Sequence, residues 1–125
     1  MNLDLHLDFA AMSRNDDRAC SFDAGTVIFE EGDPGDCLYV ILDGEVDIRV
    51  RDHHVWRLKA GEIFGEMALV EARPRSALAV AHTRCRLVPV DERRFLFLVS
   101  ETPYFALGLL RLLASRLRAM DDTVS

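Results

Sequence analysis

The sequence predicts a mainly β fold, an antiparallel sandwich or jelly roll with flanking helices, on three observations. Short apolar runs recur between residues 19 and 91, Gly- and Pro-containing turns cut them at close intervals, and the spacing becomes helical after residue 92. With 125 residues, half of them hydrophobic and 29% charged, the chain has the balance of one globular domain. A chain of this size buries roughly two thirds of its unfolded surface, so it needs neither a disulfide nor a metal to fold.

The elements follow in order. Residues 1–18 form an N-terminal segment of ambiguous period, helical or irregular: Leu3, Leu5, Leu7 and Phe9 alternate like a strand, whereas Leu5, Phe9 and Met12 share a helix face. Thr26–Phe29 reads as a strand and runs into Gly32-Asp33-Pro34-Gly35, a turn in which proline presets φ and glycine tolerates positive φ. Cys37–Leu42 and Glu45–Val50 flank Asp43-Gly44, a hairpin dipeptide. Val46, Ile48 and Val50 face one way and Glu45, Asp47 and Arg49 the other, as in a half-buried strand. His53-His54 lies at a turn before the strand Val55–Leu58, and Ser76–Ala81 and Cys85–Val90 complete the set.

Two helices close the chain. Asp91 suits the N-cap of a short helix over Arg93–Val99, and Thr102-Pro103 opens a longer one, with Thr as cap and Pro in the first turn. On the longer helix Ala106, Leu110, Leu113, Leu117 and Met120 follow helix-seam spacing, with Leu109 and Leu112 beside them. Either one broad face packs on the sheet, or one stripe packs there and the other on a second copy of the helix.

Composition excludes several function classes. Fifteen basic against 21 acidic residues give a formal net charge of −6, which argues against nucleic-acid binding through a general electrostatic footprint. The N-terminus is acidic where a secretion signal is basic, and no apolar run approaches the roughly 20 residues of a membrane helix, so a cytoplasmic protein is expected. Cys20, Cys37 and Cys85 lack metal or redox spacing and read as reduced core thiols. His53 and His54 are adjacent, so on a strand they point apart, and solvated turn histidines are expected instead of metal ligands. No catalytic triad has sequence support, and no enzyme activity, cofactor or metal is expected.

The stretch FGEMALVEARPRSALAVA, from Phe64 to Ala81, is polar in a particular order. Gly65 allows positive φ or close backbone approach, and the helix formers Glu66-Met67-Ala68-Leu69 follow it. One turn of helix there leaves free N–H groups, which favour an anion. Pro74 holds Arg73 extended, so Arg75 leaves at a fixed angle and can meet an anion with two parallel hydrogen bonds. Ser76 adds a hydroxyl donor, whereas Glu66 repels an anion and suits the hydroxyl of a sugar. Phosphate at one end and ribose at the other describe a nucleotide. Taken alone, the residues also fit a surface ion pair between Glu66 and Arg75 across an ordinary loop, worth about 0–1 kcal/mol.

Read together, GTVIFEEGDPGDCLYVILDGEV, LKAGEIFGEMALVEARPRSALAVA and the two closing helices resemble the cyclic-nucleotide-binding domain family over roughly Ala19 to Met120. The resemblance implies a double-stranded β-helix over 19–91 with a phosphate-binding cassette at 64–77, followed by hinge and lid helices over 92–120, one domain overall. It implies that Glu66 accepts from the ribose 2′-hydroxyl and Arg75 pairs with the cyclic phosphate. Gly65, Met67, Ala68 and Ala77 would line the sugar-phosphate, Ser76 would contact phosphate or base, and Leu69 would couple the cassette to the hinge helix. The lid matches no fixed motif, with Arg116 a candidate. The resemblance points both ways on the base: a hydroxyl residue after the arginine favours cGMP in the family's eukaryotic kinases, whereas bacterial members often carry serine there and bind cAMP. On that pattern cAMP is expected over cGMP.

The expected protein is a stand-alone regulatory sensor, since no helix-turn-helix follows the last helix within this chain. Its partners are a cyclic nucleotide, a second copy through the helix seam, and an unknown protein, with no direct nucleic-acid or membrane contact. The alternative is a degenerate, ligand-free domain acting as a structural or adaptor module.

Overall fold

A computed structural model describes residues 18–50 and 54–124, with side chains as far as Arg118 except that of His54. The expectations for most of 1–18, for His53 and for the Met120 side chain lie outside the described residues. Two compact units divide the chain, the first ending at Arg93 and the second beginning at Arg94.

The first unit is a β roll of two four-stranded antiparallel sheets. Its strands are β1 (Cys20–Phe22), β2 (Val27–Phe29), β3 (Cys37–Asp43), β4 (Glu45–Val50), β5 (His54–Lys59), β6 (Ile63–Phe64), β7 (Leu78–Ala81) and β8 (Cys85–Asp91). One sheet has the order β1-β8-β3-β6 and the other β2-β7-β4-β5. Phe29, Ile41, Val46, Leu58, Phe64, Ala79, Ala81 and Leu87 meet in one core drawn from both sheets. That inward set is the alternation of each strand projected onto one face.

Three expectations change. Asp43-Gly44 is a sheet-to-sheet corner and not a hairpin, because β3 pairs with β8 and β6 while β4 pairs with β5 and β7. Gly44 has φ 88°, and a β-carbon there would collide with the Arg84 carbonyl, so the corner needs glycine. The two-strand hairpin is β4–β5, in register from Glu45↔Lys59 to Val50↔His54. Cys20 is exposed, unlike the buried thiols Cys37 and Cys85.

The third change concerns Asp47, on the strand face expected to meet water, which is only 4% exposed. Arg57, its cross-strand partner, covers it and donates from Nε to Oδ1 at 2.8 Å and from Nη2 to Oδ2 at 3.3 Å. His82 Nδ1 lies 3.5 Å from Asp47 Oδ2, and its Nε2 lies 4.0 Å from Glu45 Oε1.

A short helix, α1 (Glu66–Val70), lies between β6 and β7. Because β6 and β7 belong to different sheets, residues 65–77 cross from one sheet to the other. Beyond β8 come α2 (Glu92–Glu101) and α3 (Pro103–Val124). Thr102 N–H donates to the Leu98 carbonyl at 2.8 Å and closes α2. Pro103 lacks an N–H and disfavours helical backbone at Thr102, so α3 restarts, and the two axes bend by 116°. In the second unit, Phe105 is buried edge-on against Phe95 at 5.6 Å between centroids. No single helix among the described residues is long and apolar enough to cross a membrane.

Candidate functional site

The site is built around Arg75. Its backbone is pinned on both sides by the turn after β2: Arg75 N–H donates to the Asp33 carbonyl, and Gly32 N–H donates to the Arg75 carbonyl, each at 2.8 Å. Pro74 therefore has help in aiming the side chain, and the strand expected from Ser76 begins only at Leu78. The turn is itself held, because Glu30 N–H donates to Asp33 Oδ2 at 2.9 Å.

From that anchor the Arg75 side chain runs inward and is 6% exposed. Nη1 donates to the Gly65 carbonyl at 3.0 Å, and Nη2 approaches Cys37 Sγ at 3.7 Å. Nε is buried with no hydrogen-bond partner among the described residues. Cζ stands 4.2 Å from the centre of the Phe29 ring and 5.7 Å from that of Tyr39. Burial pushes the Cys37 thiol up, with Tyr39 and then Arg75 pulling it back. Burial and then the neighbouring Cys37 push Tyr39 up to about 12, so both stay neutral near pH 7.

Two glycines make room for this arginine. A β-carbon at Gly35 would stand 2.6 Å from Arg75 Nε and 2.8 Å from the Ala68 β-carbon. One at Gly65 would stand 2.6 Å from Arg75 Nη1, and Gly65 also takes φ 77° to start α1. No side-chain bond caps that helix, so its first N–H groups are not covered from Gly65.

The remaining expected residues fall in distinct places. Glu66 is 5% exposed, and Ala68 and Ala77 are also buried. Burial of both Glu66 and Arg75 removes the reading of an exposed ion pair on a plain loop. Met67 and Ser76 line a cavity of about 410 Å³ with Glu71, Arg73 and Pro74. Leu69 lines a second cavity of about 530 Å³, whose wall includes Asp91, Glu92 and Arg93, where β8 passes into α2. Arg116 belongs to α3, in the other unit.

Phe29, Gly35, Cys37 and Tyr39 were not singled out in the sequence for this site. Gly35 carried a local signal, read there only as a turn. The other three lie in apolar strands and reach Arg75 only through the folding of the roll.

The fold is thus a β roll with a buried arginine at a glycine-opened crossing between its two sheets. The chain belongs to the cyclic nucleotide-binding domain family, whose model matches residues 19–102. It is 31% identical over 109 residues to the CRP-like cAMP-activated global transcriptional regulator of Mycobacterium tuberculosis, covering 83% of this chain and 49% of that protein. It resembles the Thermus thermophilus catabolite activator protein with a TM-score of 0.76 and 34% identity, over 85% of this chain and 52% of that one. It also resembles the EAL enzyme Bd1971, at 37% identity, in its cAMP-bound form (TM-score 0.60, 85% of this chain, 30% of that one) and its cGMP-bound form (0.61, 84% and 29%). The chain spans about half the length of the Mycobacterium tuberculosis regulator.

Proposed function

We propose that this domain binds cAMP in preference to cGMP and relays occupancy through its C-terminal helices, as a regulatory and not a catalytic module. The observation that carries the reading is Arg75: a cation 6% exposed, its Nε without a hydrogen-bond partner among the described residues, at a crossing where Gly35 and Gly65 leave room for it. Burying a charge with so little compensation is costly, and a phosphate supplies what is missing. Glu66 takes the ribose hydroxyl, while backbone groups at Gly65, Met67, Ala68 and Ala77 line the sugar-phosphate and Ser76 contacts phosphate or base. The cAMP preference is supported by the Mycobacterium tuberculosis relative, named as cAMP-activated.

In the relay, Leu69 passes a shift of α1 to the start of α2, supported by the cavity it shares with Asp91, Glu92 and Arg93. Arg116 is the candidate lid. The ligand drives such a change only by its differential affinity for the two arrangements. Thermal melting tests the reading: cAMP is expected to raise the midpoint by several degrees, cGMP by less, and AMP not at all. No shift with either cyclic nucleotide sinks it and leaves the adaptor role.

A second copy is the proposed partner along α3. Leu110 and Leu117 are each 63% exposed, while Ala106 and Leu113 are half-buried beside them. Sedimentation of Leu110→Asp is expected to show a smaller species than wild type. An unchanged oligomeric state removes the seam.

A further inference from the structure

The Arg75 guanidinium stands over an aromatic group that the nucleotide reading leaves without a task. Phe29, Tyr39 and Phe64 come from three strands, with centroids 6.2 Å apart for Phe29–Tyr39, 5.9 Å for Phe29–Phe64 and 5.3 Å for Tyr39–Phe64. Phe29 is 9% exposed, and Arg75 Cζ is 4.2 Å from its centre, inside the range where a cation is drawn to a ring face. Such attraction grows when the cation is shielded from water, as Arg75 is.

We infer that Phe29 is a positioning residue for the anion site: its ring face holds the Arg75 guanidinium in place before an anion arrives. This rests on Arg75 being the phosphate partner. The alternative for a long, flexible cation is to swing into water, where it is solvated but out of reach of the cassette. Each molecule in that swung-out form must be drawn back before it binds, so apparent affinity falls by the fraction in the competent form. The Gly65 carbonyl and Cys37 sulfur fix the edge of the guanidinium, and Phe29 supplies the face. Tyr39, 5.7 Å from Cζ, backs the ring more than it holds the cation.

The test replaces Phe29 by phenylalanines carrying one, two and three ring fluorines. These withdraw electron density from the face while adding little volume, so core packing is kept where Phe29→Leu would disturb it. Calorimetry with cAMP is expected to show affinity falling stepwise with each fluorine, to a total loss within roughly 3- to 30-fold. The same series at Phe22, which packs against the core without contacting Arg75, is expected to leave affinity unchanged. NMR of the ligand-free protein provides a second readout: the Arg75 side-chain N–H resonances should be shifted upfield by the ring, and should lose that shift in Phe29→Leu. A flat fluorine series in a protein that binds cAMP overturns the positioning role, as does an unshifted Arg75 resonance. A wild-type chain that binds neither cAMP nor cGMP overturns the nucleotide reading, and the role of Phe29 in affinity falls with it.

Discussion

Arg75→Ala is expected to weaken cAMP binding at least 100-fold, near 2.7 kcal/mol, in a calorimetric titration. The magnitude follows from the number and kind of bonds lost. A hydrogen bond to a charged group contributes roughly 1.5–3 kcal/mol, and a guanidinium can place two on one phosphate. Truncation also leaves the phosphate facing Phe29 and Cys37, neither of which bears a positive charge. Stability of the free protein should respond differently. The variant loses a buried cation along with its packing, so its ligand-free melting point is expected to stay within a few degrees of wild type. A merely structural arginine would lower the melting point and spare the titration. Binding like wild type in Arg75→Ala would sink the nucleotide assignment.

The second large effect is on stability and depends on pH. The Arg57 hydrogen bond, and then its charge, hold the Asp47 carboxyl below its ordinary 3.8 against the opposing effect of burial, with His82 adding to the depression. A depressed folded pKa means that the unfolded chain binds the proton more tightly. The contribution is therefore complete above the unfolded value and is lost as pH falls from about 4 through the folded value. Asp47→Asn is expected to cost about 1–3 kcal/mol in urea unfolding at pH 7. It stays below the 3–5 kcal/mol of a fully enclosed pair because the Arg57 side chain remains 49% exposed. Wild-type and variant stabilities should then converge as pH falls below about 4. Parallel curves down to pH 2 would show that the Asp47 charge contributes nothing.

Much of this architecture was legible because its signals are local. Period-two alternation in Glu45–Val50 marked that strand to the residue, and Thr102-Pro103 marked the break between the helices. The order Gly65, Glu66, Arg75 carried the candidate site, because a glycine turn and a proline-held arginine are both short-range constraints. What escaped is non-local. Cys20–Phe22 and Ile63–Phe64 are too short for any period to show. Asp43-Gly44 marked a turn but not the partner of either flank, since pairing is decided by residues far along the chain. Asp47 had the outward parity of its strand, and only the reach of Arg57 and His82 buries it. Phe29 and Cys37 look like ordinary strand residues until the roll brings Arg75 between them.

The bond from Arg75 Nη1 to the Gly65 carbonyl joins the ends of a closed loop. Within it α1 occupies Glu66–Val70, and residues 71–74 are an exposed tether between two anchored ends. In polymer terms, each doubling of a flexible tether costs only about 0.6 kcal/mol of closure entropy. That is less than a single hydrogen bond to a charged group. The two anchored ends, more than closure entropy, therefore fix where Arg75 meets Gly65.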